Sequence, residues 1–164
     1  MEKSMNSNSE NPAAYSKLLQ NFRDVPLFQG LPDDALLVIF VAADENIFRA
    51  GEVVVREGDQ GEELFVIARG KVDVTINFGT PQQTRVGQLG AKDFFGEMCV
   101  IEPTNRSATV FATETTFIYS IKSSTLNKLY QVWPEHQTTI MSNLSRGLVE
   151  RVTKDDPNYS LTTY

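Results

Sequence analysis

The chain has 164 residues, 41% of them hydrophobic and 22% charged, with a formal net charge of -6. That length suits one domain with some additional helix, and the composition supports a packed core, while the acidic balance argues against nucleic-acid backbone as the main partner, which needs a broad basic surface. The single cysteine, Cys99, excludes an internal disulfide, and with no charged-then-apolar leader and no apolar run long enough to span a bilayer, the cytoplasm is the expected compartment.

Residues 1–11 are rich in Ser, Asn and Glu without an apolar pattern and read as a disordered leader. From Pro12, apolar residues spaced by three and four (Tyr15, Leu18, Leu19, Phe22) predict a helix. A second helix starts after Pro32, where Asp33 and Asp34 complement its positive end, and buries Leu36, Leu37, Phe40 and Ala43. Between about 47 and 121 the texture changes to short β-branched and aromatic runs at 53–55, 64–67, 72–76, 84–89, 109–111 and 117–121. Gly51, Gly58, Gly61, Gly70, Gly79, Gly87, Gly90 and Gly96 punctuate this region and are read as turn positions with positive φ. That density of strands predicts a sandwich or barrel.

After Ser123 and Ser124, read as caps, Leu126, Leu129 and Tyr130 restore a helical period. A last helix runs from about Pro134 to 153, with Ile140, Met141, Leu144, Leu148 and Val152 on one face. Gly147 interrupts that face at a cost of about 1 kcal/mol relative to alanine, which points to a close helix approach or a bend. The tail, 155–164, is polar and read as flexible.

One stretch carries chemistry: Phe95-Gly96-Glu97-Met98-Cys99-Val100-Ile101, followed by Asn105-Arg106-Ser107-Ala108-Thr109-Val110. On a generic surface, an arginine and a glutamate at this separation would be a salt bridge or two solvated charges. Here Glu97 follows a glycine and opens what reads as one helical turn, whose Met98 and Cys99 amides are expected to lack partners and to welcome an anion. Arg106, at the mouth of an alternating strand, supplies a planar fork for phosphate oxygens. A carboxylate only accepts hydrogen bonds, which suits a ribose hydroxyl. Amides, Arg and Glu together describe a sugar-phosphate site.

Upstream lie Val54-Val55-Arg56-Glu57-Gly58-Asp59-Gln60-Gly61 and then Leu64-Phe65-Val66-Ile67 with Gly70. With these two signatures in order, the chain from about Leu27 to Val152 resembles the cyclic nucleotide-binding domains of catabolite activator-type transcription factors, cyclic nucleotide-dependent kinases and gated channels. The resemblance implies a mainly β fold with flanking helices: an eight-stranded jelly-roll barrel over about 47–121, with N-terminal helices and two C-terminal helices over about 123–153, inside a domain spanning 12–154. It implies that Arg106 pairs with the exocyclic phosphate oxygens, that Glu97 accepts from the ribose 2′-hydroxyl, and that Gly96, Met98, Cys99 and Ser107 line the cradle. Val74 and Val86 match positions that pack against sugar and base, and Arg151 or Val152 falls where the last helix lids the base. The chain departs from the pattern at Cys99, where Gly, Ala or Ser is usual, at Lys92, which replaces a glycine, and at Pro103 inside the cassette loop.

The expected function is that of a non-enzymatic cytoplasmic sensor of a 3′,5′-cyclic mononucleotide, cyclic AMP ahead of cyclic GMP, with no cofactor and no metal. The last helix would relay binding to a protein partner, or its stripe would pair with a second copy in a homo-oligomer or pack on its own barrel. With no helix-turn-helix after that helix, no kinase loop and no membrane span, direct DNA binding, phosphoryl transfer and channel activity are not expected. His136 is the only histidine, too few for the metal-binding enzymes that share the jelly roll. The alternative is a scaffold or interaction module of the same fold, with a degenerate pocket or a different ligand.

Overall fold

The computed structural model describes residues 12–155. The leader and residues 156–164 of the tail lie outside the described residues, as do the side chains of Tyr15, Leu18 and Val152. Helix α1 (Pro12–Arg23) leads through a 3₁₀ turn, Pro26–Phe28, into α2 (Asp33–Ala42). The strands β1 (Asp44–Phe48), β2 (Val53–Val55), β3 (Gln60–Gly61), β4 (Glu63–Arg69), β5 (Lys71–Ile76), β6 (Thr84–Gly90) and β7 (Phe94–Phe95) follow. One turn of helix, α3 (Met98–Ile101), precedes β8 (Thr104–Asn105), β9 (Thr109–Ala112) and β10 (Thr116–Lys122). Helices α4 (Ser123–Val132) and α5 (Pro134–Asp155) come last.

Eight of these strands form two four-stranded antiparallel sheets, ordered β1-β10-β4-β7 and β2-β9-β5-β6, the two layers of a jelly roll; β3 and β8 make a separate two-residue pair. Strand alternation sorts the side chains between two cores. On β4, Leu64 and Val66 enter a core shared with the helices, while Phe65 and Ile67 enter a second core between the sheets. β10 divides likewise, with Tyr119 and Ile121 toward the helices and Ile118 between the sheets. β7 does the same with its two aromatics, sending Phe94 to the helical side and Phe95 to the inter-sheet side. That split later separates the surroundings of Glu97 from those of Arg106.

Three expectations are corrected. The strand region opens at Asp44 instead of 47, because β1 is an edge strand paired to β10, and its outward Asp44 and Glu45 hide the apolar period from a sequence reader. Ser123 and Ser124 are helical residues, not caps: Lys122 holds the N-cap position without a side-chain bond, and the Ser123 amide donates to the Glu62 carbonyl at 2.8 Å. Gly61, Gly87 and Gly90 do not adopt positive φ, since all three lie within strands.

The apolar face of α5 packs on its own domain. Ile140 and Leu144 are buried in the helical core, with Met141 and Leu148 packed against it. The buried Asn143 amide donates to the Leu27 and Gln29 carbonyls, at 3.1 and 2.7 Å, and ties α5 to the 3₁₀ turn. Among the described residues no helix is long and apolar enough to cross a membrane.

Candidate functional site

The two sequence signatures meet in space. The backbone of Arg106, between β8 and β9, is clamped onto the turn before β3: the Arg106 amide donates to the Asp59 carbonyl at 2.7 Å, and the Gly58 amide donates to the Arg106 carbonyl at 2.8 Å. Gly58 adopts a φ of 87°, which glycine reaches without steric cost. From this anchor the guanidinium reaches inward, donating from Nη2 to the Glu63 carbonyl at 2.9 Å and from Nη1 to the Gly96 carbonyl at 3.4 Å. Its Cζ lies 5.3 Å from the centroid of Phe65, whose ring stacks on Phe95 at 4.9 Å. Among the described residues no carboxylate forms an ion pair with it. Two of its five N–H donors are thus engaged by main chain, and the fork keeps donor capacity for an anion.

Two glycines make the room. A Cβ at Gly61 would lie 2.4 Å from Arg106 Nε, and one at Gly96 would lie 2.5 Å from Nη1 and 2.7 Å from the Glu63 carbonyl oxygen. Gly61 is therefore required by close approach rather than by a turn. From sequence Gly61 reads as a turn glycine, and neither Phe65 nor the Glu63 carbonyl is placed at the site; a glycine within a strand signals close approach, whereas a carbonyl contact leaves no trace in residue identity.

A cavity of about 110 Å³ is lined by Gly96, Met98, Cys99, Thr104, Asn105, Arg106 and Ser107, so the structure brings together most of the predicted cradle and adds Thr104 and Asn105. A more open polar cavity of about 340 Å³ shares Arg106 and is lined by Gln60, Glu62, Glu63 and Lys122. The cradle amides differ from expectation at Cys99, whose amide donates to the Gly96 carbonyl, though at a long 3.4 Å. Burial pushes the Cys99 thiol up to about 11, so it stays protonated at neutral pH. Val74 is fully buried in the inter-sheet core with Phe65 and Phe95, and Val86 packs against that core; neither lines the small cavity. Lys92 adopts a φ of 74°, which explains why a glycine suits that position, and its Nζ pairs with Asp24 at 3.1 Å. His136 is buried beside Trp133, with ring centroids 5.8 Å apart.

Glu97 is completely buried and is not among the residues lining the small cavity. Its Oε1 lies 3.4 Å from Nη1 of Arg151, and its Oε2 has no partner among the described residues. Arg151 reaches the site from α5: its Nη2 donates to the Phe94 carbonyl, and its Cζ lies 4.6 Å from the Phe94 ring centroid. Gly147, one turn earlier, permits this docking, since a Cβ there would approach Phe94 Cζ to 3.2 Å. Of Val152 only the helical backbone is described.

Burial raises the Glu97 carboxyl above its ordinary range, with the Arg151 and Arg106 guanidinium groups opposing. The folded state then binds this proton more tightly than the unfolded state, so stability falls as pH rises from about 4 through the raised value. Glu97→Gln cannot ionise and escapes that loss. In urea melts its stability relative to the parent should improve between about pH 4 and pH 7; an unchanged or declining difference would contradict a raised carboxyl.

The cyclic nucleotide-binding domain family matches residues 45–132. A cyclic nucleotide-gated potassium channel of Rhizobium etli is 39% identical over 116 residues, covering 71% of this chain and 31% of the channel. Human cGMP-dependent protein kinase 2 is 31% identical over 140 residues, covering 84% of this chain and 18% of the kinase. Among solved structures, a cyclic nucleotide-binding domain from Methylobacillus flagellatus superposes with a TM-score of 0.73 at 20% identity, covering 87% of this chain and 80% of that one, a likeness of fold. The chain thus spans less than a third of the length of these curated relatives.

Proposed function

This chain belongs to the cyclic nucleotide-binding domain family, and on that premise we propose that it is a non-enzymatic sensor of a 3′,5′-cyclic mononucleotide. The observation that carries the reading is the placement of Arg106: a guanidinium anchored through its backbone, held by two carbonyls, free of any carboxylate among the described residues, and lining a cavity with Gly96, Met98, Cys99 and Ser107. In this reading the cyclic phosphate takes the remaining guanidinium donors, Glu97 accepts from the ribose 2′-hydroxyl, and Val74 and Val86 form the apolar wall toward sugar and base. The ligand is bound and not transformed: the Cys99 thiol is held protonated, and the Glu97 carboxyl, with Oε1 against the Arg151 guanidinium, serves as an acceptor. Helix α5 relays occupancy to a protein partner, because its apolar face is already spent on its own domain and leaves less for a second copy.

Isothermal calorimetry against cyclic AMP and cyclic GMP tests the proposal and ranks the two bases. Saturable heat with either, and recovery of the nucleotide unchanged after prolonged incubation, is the expected result. No heat with either at millimolar concentration would overturn it and favour an interaction module, a reading that has one observation in its favour, namely that Arg106 and Glu97 both already have partners within the chain.

Gly61→Ala offers a sharper check. Its methyl would collide with the far end of a flexible side chain, Arg106, and the position carries no positive φ, so the fold should survive while the guanidinium is displaced. A melting temperature within a few degrees of the parent, with affinity reduced at least about tenfold, is expected. Parental affinity would mean that the placement of Arg106 does not matter.

A further inference from the structure

Arg151 sits at the junction of three groups. It donates to the Phe94 carbonyl, covers the Phe94 ring at 4.6 Å, and meets Glu97 Oε1 at 3.4 Å, with only 16% of its side chain exposed. Gly147 and Arg151 are four residues apart and so share a face of α5, and the missing Cβ of Gly147 lets that face approach Phe94. Glu97, in turn, is fully buried with Oε1 paired and Oε2 unpaired. A buried carboxylate oxygen without a donor is uncommon and costly, and it is satisfied by a group that brings one O–H.

We infer that Arg151 is a positioning residue that sets the sugar specificity of the site: by holding Oε1 it fixes the Glu97 carboxylate so that Oε2 is left as the acceptor for a ribose 2′-hydroxyl. This rests on the sensor reading above and adds to it. Without the guanidinium, the carboxylate loses both its counter-charge and its orientation, and a ligand hydroxyl meets an acceptor that is no longer fixed. The phosphate end of the ligand falls to Arg106, which is held by the Glu63 and Gly96 carbonyls and makes no contact with Arg151, so its grip should be spared by the loss. The signature is therefore a change in discrimination, not a uniform weakening.

The experiment compares the parent, Arg151→Ala and Arg151→Lys by calorimetry, using whichever of cyclic AMP or cyclic GMP the parent binds and the 2′-deoxy form of the same nucleotide. The parent should prefer the ribose form by about tenfold or more, the scale of a hydrogen bond to a charged acceptor. Arg151→Ala should bring that preference close to unity by weakening the ribose ligand alone, and Arg151→Lys, which keeps the charge, should restore part of it. Should the alanine variant melt early, Arg151→Met keeps an apolar stem against Phe94 and carries the same comparison. Equal weakening of both ligands, or an intact preference, would overturn the positioning role while leaving the sensor reading standing. A parent that binds both sugars equally would do the same, whereas a parent that binds no cyclic nucleotide would remove the sensor reading itself, and this inference with it.

Discussion

Replacing Arg106 by alanine is expected to lower cyclic nucleotide affinity tens- to thousands-fold, about 2 to 5 kcal/mol, the range found when one partner of a buried charged contact is truncated. The size follows from the setting. The guanidinium is half-buried, lies over the Phe65 ring, and is held at two points by the Glu63 and Gly96 carbonyls, so little is lost in orienting it when a phosphate arrives. Its removal leaves a bound phosphate without its cationic partner. The same change deprives two main-chain carbonyls of a donor, and a stability loss of about 1 to 2 kcal/mol should accompany it. Circular dichroism and urea melts separate the two effects, because a domain that is still folded at the titration temperature reports affinity alone. Arg106→Lys keeps the charge without the fork and should fall between parent and alanine. Parental affinity in both variants would remove Arg106 from the site.

The second large effect is expected at Gly96. Alanine there meets two independent obstacles: a φ of 73°, costly for any residue with a Cβ, and a methyl placed 2.7 Å from the Glu63 carbonyl oxygen and 2.5 Å from Arg106 Nη1. The carbonyl belongs to β4, the central strand between β10 and β7, and cannot withdraw as a side-chain end can. Summing the strain of the backbone with that of overpacking gives a destabilisation of about 2 to 6 kcal/mol. Gly51→Ala is the internal control, since its φ of 88° carries the same backbone cost with nothing within 4 Å of the added methyl. The excess of Gly96→Ala over Gly51→Ala in urea melts measures crowding alone; equal losses would mean that the cradle tolerates a side chain. Nucleotide affinity should fall as well, because the methyl takes the place of the guanidinium.

Much of this molecule is visible in its residue order. The strand runs at 53–55 and 72–76, the helix from Pro12, the turn of helix after Gly96 and the long helix from Pro134 are all local: each arises from periodicity, a proline or a glycine acting over a few neighbours. β1 escaped because its exposed acids mask its period, and β3, β7 and β8 because two residues are too few to show one. The candidate site divides along the same line. Gly96, Glu97, Arg106 and Ser107 stand close together in sequence with recognisable chemistry, whereas the contact of Gly61 with Arg106 spans 45 positions and that of Arg151 with Glu97 spans 54.

From sequence alone come the mainly β class, the order of the helices and of β2, β4, β5, β6, β9 and β10, and the choice of Arg106 and Glu97 as candidates, because these depend on side-chain chemistry and on patterns shorter than one element. Only the folded chain decides that Glu97 answers to Arg151 on the helical side of β7 while Arg106 answers to Phe65 between the sheets. That partition depends on which face of β7 each aromatic takes and on how closely α5 approaches Phe94, and such distances are set by the packing of elements far apart in the chain.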